Sequence, residues 1–424
     1  MKIAAPRGTQ DIFGAKAELW QFIENTAAKV FAQAGFSEIR TPIFESTELF
    51  DRAVGEESDI VNKEMYTFAD RSERSLTLRP EGTASVVRAF VENNLDQIAK
   101  PQKLWYRGPM FRYERPQTGR YRQFHQIGIE ALGSKAPYID LEVINMAIEF
   151  LKQLGLQDLT LYVNSIGNSE SRKKYIDSLK IFLNGLKDKV CEDCQRRIDT
   201  NPLRCLDCKV PHDQELYKNA PVIIDFFDEE SNSIWKEFLE GLNGLKINYK
   251  IDNSLVRGLD YYSHCVFEVK TSSATLGMQS TVLAGGRYDS LIGQLGGPDL
   301  PAVGWACGLE RMSLLIEEQS KDLIKAQTKV FVLSDNANEA LKLAIQLRND
   351  LPETVIEFDY EQSKFKKQLE KALKRSYDFV LFWLEDERNK QEFKIKNLKT
   401  TEESSGLSYS QVLEQIKTLN VVKR

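Results

Sequence analysis

At 424 residues, 42% hydrophobic and 28% charged, the chain has the composition of a globular protein of two to four domains. A net charge of −5 excludes the bulk basic field that advertises nucleic acid, so any such contact is local, and three histidines, at 125, 212 and 264, leave little for a histidine metal site or a Ser-His-Asp triad. Six cysteines suit a reducing compartment better than a disulfide framework, the first residues lack the apolar core of a signal peptide, and no run approaches the ~18 apolar residues of a membrane span, so a cytoplasmic chain with no membrane contact is expected.

In chain order, "AELWQFIENTAAKVFAQAG" spaces Leu19, Phe22, Ile23, Val30 and Phe31 on one helix face, with Gly35 as its stop. "FSEIRTPIFES" is extended, and Pro42 places it at an edge or an interface because proline cannot donate to a ladder. "SLTLRPEGTASVVRAFVENN" predicts a strand, a turn and a helix, which sets Glu81 and Thr83 at a helix N-terminus.

"FRYERPQTGRYRQFHQIGIE" at 111–130 divides at "RPQTG" as the loop of an antiparallel hairpin. Parity puts Arg120, Arg122, Phe124, Gln126, Gly128 and Glu130 on one face, and Tyr121, His125, Ile127 and Ile129 on the core face. Paired, the strands would present Arg112, Gln126 and Glu130 together, with Gly128 leaving room between the last two. Parity alone admits two readings of this charged face, a pocket floor or a solvated sheet surface.

From about 168 to 250 the texture changes to Lys-rich helices and a cysteine cluster, which marks an inserted, mainly helical subdomain. Cys191, Cys194, Cys205 and Cys208 have the C-x2-C…C-x2-C spacing of a structural zinc site. Strands resume with "LVRGLDYYSHCVFEVK", pass "LAGGRYDSL" and reach "AVGWACGLERMSLLIEEQ", a strand entering a helix. Beyond a polar linker, "VFVLSD", "TVIEFDY" and "DFVLFWLED" alternate with two helices, which predicts parallel βαβ units.

Singly these motifs are weak. In order, "RGTQDIFG", "GFSEIRTPIFE", "EMYTF" with "LTLRPEGT", "FRYERPQTGRYRQFHQIGIE", "NPLRCLDCK", "LVRGLDYYSHCVFE", "AGGRYDSL" and "AVGWACGLER" resemble the bacterial histidyl-tRNA synthetases over essentially the whole chain. The resemblance implies an α+β fold. It comprises a class II synthetase core of antiparallel sheet flanked by helices at 1–325, interrupted by the insertion at 168–250, and a C-terminal α/β anticodon-binding domain at 328–424. The class motifs fall around Pro42, from 107 to 130 and from 302 to 311.

It also implies activation of L-histidine by ATP, with Mg2+, to histidyl-adenylate and transfer to the 3′ end of tRNA(His). Arg112 and Arg257 are carried over as the catalytic contacts at the α-phosphate, and Arg311 as the contact at the far end of ATP. Glu81, Gly82 and Thr83 are expected to meet the substrate ammonium, and Gln126, Glu130, Tyr261 and Tyr262 its imidazole. On residues alone, Arg257 is equally an ion-pair partner of Asp260, and the tyrosines are packing aromatics.

Arg115, Gln117 and Arg120 are the expected contacts to the tRNA acceptor end, and the lysines of 363–375 the expected phosphate-facing surface of the last domain. The resemblance implies a homodimer through the Pro42 region. It also points away from a metal, so reduced, partly buried thiols are the expectation for the cysteine cluster in place of the zinc that the spacing allows. The alternative function is that of a synthetase-like, non-catalytic regulatory subunit of ATP phosphoribosyltransferase, which lacks the last domain and parts of the site.

Overall fold

The computed structural model describes residues 3–55, 58, 60–256, 261–276, 280–320, 323 and 327–422. Two compact units divide it at residues 323 and 324. The first is built on an eight-stranded sheet whose order is 37–38, 102–111, 123–132, 302–308, 281–288, 263–271, 159–165 and 249–251. Pairing is antiparallel from Gln102–Phe111 across to Leu159–Ser165, and parallel only at the two short edge strands.

Helices Ala15–Gln33 and Pro137–Gln153 bury aromatic and aliphatic side chains against this sheet. Phe31, Phe150 and Trp305 meet with ring centroids 5.2 to 6.2 Å apart, and the Trp305 indole N–H donates to the Val143 carbonyl at 2.9 Å. Burial of each such side chain contributes roughly 1.5–3 kcal/mol. Gly35 ends the first helix as expected, with φ at +78°, a conformation glycine adopts without Cβ strain.

The Pro42 segment splits into Ser37–Glu38, at the edge of the large sheet, and Phe44–Ser46, which joins a separate three-stranded sheet. Residues 169–244 form a mainly helical region within the first unit, where Gly241 lets the helix Glu229–Gly244 pack against Leu141.

In the second unit, Thr354–Phe358, Thr328–Leu333 and Phe379–Phe382 are parallel as predicted. The unit is nevertheless mixed, because Phe393–Asn397 and Glu403–Leu407 add an antiparallel pair at one side. Those two strands are short and charged, and the period-two signal does not stand out from the surrounding polar residues. Among the described residues no helix is long and apolar enough to cross a membrane.

Candidate active site

The floor of the site is the pair Gln102–Phe111 and Gln123–Leu132, whose register sets Leu104 opposite Glu130 and Gly108 opposite Gln126. The connecting loop is longer than the five residues predicted. The ladder stops at 111 and restarts at 123, leaving one isolated bridge between Gln117 and Arg120. The Arg112 backbone N–H still donates to the Arg122 carbonyl at 2.9 Å. Most of the charged face is not a solvated sheet surface: Arg120, Phe124, Gln126 and Glu130, together with Glu81, Thr83, Tyr261, Tyr262 and Arg311, line one cavity of about 860 Å³, whereas Arg122 is outside it and lies over the Tyr113 ring at 3.9 Å.

At one end of the cavity two acids are buried. Glu130 is 1% exposed; it accepts from the Thr83 hydroxyl at 2.7 Å and the Tyr288 hydroxyl at 2.5 Å. Burial pushes its carboxyl up to about 8, against those two hydrogen bonds. Glu81 caps the helix Thr83–Glu92, accepting from the backbone N–H of Thr83 at 2.6 Å and of Ala84 at 2.8 Å. Burial raises its carboxyl too, with the two N–H groups and the Arg112 charge opposing. A helix N-terminus favours the anion. Thr83 therefore ties both acids together, one through its amide and one through its hydroxyl.

Three glycines make this arrangement fit. A Cβ at Gly82 would lie 2.1 Å from the Tyr106 ring, one at Gly128 would lie 2.5 Å from it, and one at Gly304 would lie 1.7 Å from Glu130 Oε2. The room expected at Gly128 is thus filled by Tyr106, whose hydroxyl is buried with no hydrogen-bond partner among the described residues. Gln126 Oε1 is buried and unpartnered in the same way. Tyr261 and Tyr262 stand 4.7 Å apart on the wall, and Tyr261 meets Tyr288 edge-on at 5.4 Å.

The other end is cationic. Arg112 donates to the Pro80 carbonyl at 2.9 Å and lies over the Phe124 ring at 5.2 Å. Arg311, in the first turn of Leu309–Gln319, donates to the Thr281 carbonyl at 2.8 Å. Burial lowers its guanidinium, and Arg120 and Arg112 add like-charge repulsion that Glu114 only partly offsets. Glu114 faces Arg120 at 3.1 Å and Arg112 at 3.9 Å. Arg112, Arg120 and Arg311 gather here with Glu114 and Glu268, and the guanidinium fork matches phosphate.

Of the expected residues, the structure brings together Glu81, Thr83, Arg112, Gln126, Glu130, Tyr261, Tyr262 and Arg311. Arg120 joins this cavity wall, whereas Arg115 and Gln117 are exposed on the loop and do not line it. Arg257 and Asp260 lie outside the described residues. The far wall comes from the insertion, through Leu206, Asp207, Cys208 and Lys209.

Sequence reading missed Tyr106, Tyr288 and Glu310. The last accepts from the His125 amide with both oxygens at 3.0 Å and faces Nδ1 at 3.2 Å, tying the strand Gln123–Leu132 to the helix Leu309–Gln319. It also missed the buried Arg287–Asp140 pair, Nε to Oδ1 at 3.1 Å, which locks strand 281–288 to helix 137–153. "AGGRYDSL" and "GLER" carried three of these residues, but nothing in the linear pattern says what they face.

Residues 8–170 and 215–312 match the family "Histidyl-tRNA synthetase", and residues 327–419 match "Anticodon binding domain". The chain is 45% identical over 420 residues to the histidine–tRNA ligase of Listeria monocytogenes serotype 4b, covering 98% of each chain. It is 46% identical over 401 residues to that of Bacillus subtilis, covering 94% of this chain and 95% of the other. Apo histidyl-tRNA synthetase of S. aureus superposes with a TM-score of 0.80 at 36% identity, over 98% of this chain and 100% of that one.

Proposed function

The chain belongs to the histidyl-tRNA synthetase family and has its activity, ligation of histidine to tRNA, and from that premise we propose how its residues divide the work. The observation that carries the division is the polarity of the cavity, with two buried acids at one end and three arginines at the other. Histidine, with an ammonium and a ring N–H, enters at the acidic end. Glu81 and Thr83 take the ammonium, with Gly82 admitting Tyr106 behind them. Glu130, Gln126, Tyr261 and Tyr262 surround the ring.

ATP lies toward the arginines. Arg112 meets the α-phosphate, where charge develops as the histidine carboxylate oxygen attacks phosphorus and pyrophosphate leaves. Arg257 shares that contact by resemblance to the family. Arg311 holds the distal phosphates, and Arg120 closes the same end. Mg2+ accompanies the nucleotide, and Glu114 and Glu268 are the carboxylates on that wall with the hard oxygen such an ion takes.

After activation, the terminal adenosine of tRNA(His) attacks the adenylate carbonyl. Arg115 and Gln117, exposed on the loop, are placed against the acceptor end. In the second unit Lys364, Lys366, Lys367 and Lys374 are exposed and supply a phosphate-facing surface, whereas Lys371 is engaged by Asp359 and Arg375 lies 3.6 Å from Glu357. We take 1–325 as the catalytic core, 168–250 as its insertion and 328–424 as the anticodon domain, in the cytoplasm. A regulatory, non-catalytic role is less supported, since the curated relatives named here are ligases over nearly their full length. Pyrophosphate exchange with each of the twenty amino acids tests this reading. Exchange driven by histidine alone is expected, and exchange with no amino acid would overturn it.

We also propose that the enzyme is a homodimer through the Pro42 region. Phe44 and Phe68 stand side by side with centroids 6.4 Å apart, yet are 52% and 44% exposed, an apolar pair that a second subunit would cover. Light scattering at micromolar concentration should give twice the chain mass of 48.5 kDa. Phe44→Glu should shift the protein toward the monomer; a wild-type chain that runs as a stable monomer refutes the proposal.

A further inference from the structure

The insertion holds a donor cluster that the synthetase activity does not use. Cys191 Sγ and Cys208 Sγ are 3.9 Å apart, too far for a disulfide, and Cys208 Sγ lies 3.4 Å from Asp213 Oδ2. Together with Cys194 these donor atoms all fall within 4.8 Å of one another. Cys205, expected from spacing to be the fourth member, is not among them; its thiol is directed at the Cys194 carbonyl, 3.6 Å away.

A tetrahedral ion with bonds of about 2.3 Å to sulfur and about 2.1 Å to oxygen places two sulfurs about 3.8 Å apart, and a sulfur and an oxygen about 3.6 Å apart. The Cys191–Cys208 and Cys208–Asp213 separations, 3.9 and 3.4 Å, match that geometry. Asp213 is 1% exposed, accepts the Cys191 amide at 3.0 Å and has no Lys, Arg or His partner among the described residues. Its donors are the Cys191 N–H and the Cys208 S–H, and a metal ion would take the place of the thiol protons between carboxylate and sulfur. Soft thiolates in this number select zinc over the hard cations that accompany ATP.

We propose that Cys191, Cys194, Cys208 and Asp213 bind one structural zinc ion, and that Cys205 is a buried packing thiol outside the coordination sphere. Each thiol gives up its proton on ligation. The ion ties the start of the helix Glu192–Thr200 to the helix Pro211–Tyr217, and so braces the loop from Leu206 to Lys209 that walls the cavity. The spacing of the four cysteines suggests a different donor set, so the two are separable by experiment.

Zinc content is measured on the full-length chain purified without chelator, and cobalt(II) is then substituted for it. One equivalent of zinc per chain is expected, with thiolate-to-cobalt charge-transfer absorption and the intense visible bands of a tetrahedral centre. Cys191→Ser and Cys208→Ser should lose the ion, Asp213→Asn should weaken it at least tenfold, and Cys205→Ser should keep a full equivalent. Less than about a tenth of an equivalent on folded wild-type protein overturns the site. Loss of metal in Cys205→Ser, with retention in Asp213→Asn, overturns the donor set in favour of four cysteines. Should a ligand variant fail to fold, the wild-type cobalt spectrum still decides, because a spectrum without thiolate bands refutes coordination by the cluster.

Discussion

Glu130→Gln should lower kcat/KM for histidine by roughly 10²-fold while leaving KM for ATP nearly unchanged, because bound histidine would draw this raised carboxyl into its ionised form, and losing that buried, charge-assisted partner costs about 3 kcal/mol. Glutamine keeps the volume between Tyr288, Thr83 and Gly304, so the change is one of charge and acceptor strength. Pyrophosphate exchange at varied histidine and at varied ATP separates the two effects, and an unchanged histidine dependence refutes the assignment. A thermal melt gives a second reading that packing alone would not move. The free carboxyl sits at about 8 against its ordinary 4.5, so its folded-state pKa is raised. Its contribution to stability is then fully present below about pH 4.5 and is lost as pH rises through 8. Without ligand, wild-type protein should lose stability relative to Glu130→Gln as pH rises from 5 to about 9, and saturating histidine should narrow that gap.

Arg112→Ala should slow adenylate formation by roughly 10²–10³, equivalent to ~2.7–4 kcal/mol of transition-state stabilisation, since a fixed donor at the α-phosphate acts without solvent reorganisation. The side chain is held in advance by the Pro80 carbonyl and the Phe124 face, which is the preorganisation that the effect requires. Lysine should restore only part of the rate, because a point charge cannot reproduce the planar fork. Single-turnover formation of histidyl-adenylate measures it directly, and Arg257→Ala is expected to behave in the same way by resemblance. Full-rate adenylate formation in folded Arg112→Ala returns this side chain to a structural role against Glu114.

Local patterns were enough to place much of the chain. The helix 15–33 follows from the period of Leu19, Ile23, Val30 and Phe31, and its stop from the backbone freedom of Gly35. The strand 123–132 follows from alternation, and the identity of the family from the order of motifs that are individually common. Short-range sequence encodes these features because one residue and its near neighbours decide them.

What alternation left open was whether the Glu130 face is wet or buried. Register decides it: Gly304 opposite Glu130, and Gly82 and Gly128 against Tyr106, are close approaches between residues up to 174 positions apart, from Glu130 to Gly304. The same holds for Tyr288 on Glu130, for Glu310 on His125, and for Asp213 standing where Cys205 was expected. The sequence by itself determined which residue types are present and which local elements carry them. Only the tertiary structure decided which of those side chains share a buried space, because that depends on strand order and helix packing, and neither is written in the spacing of any one motif.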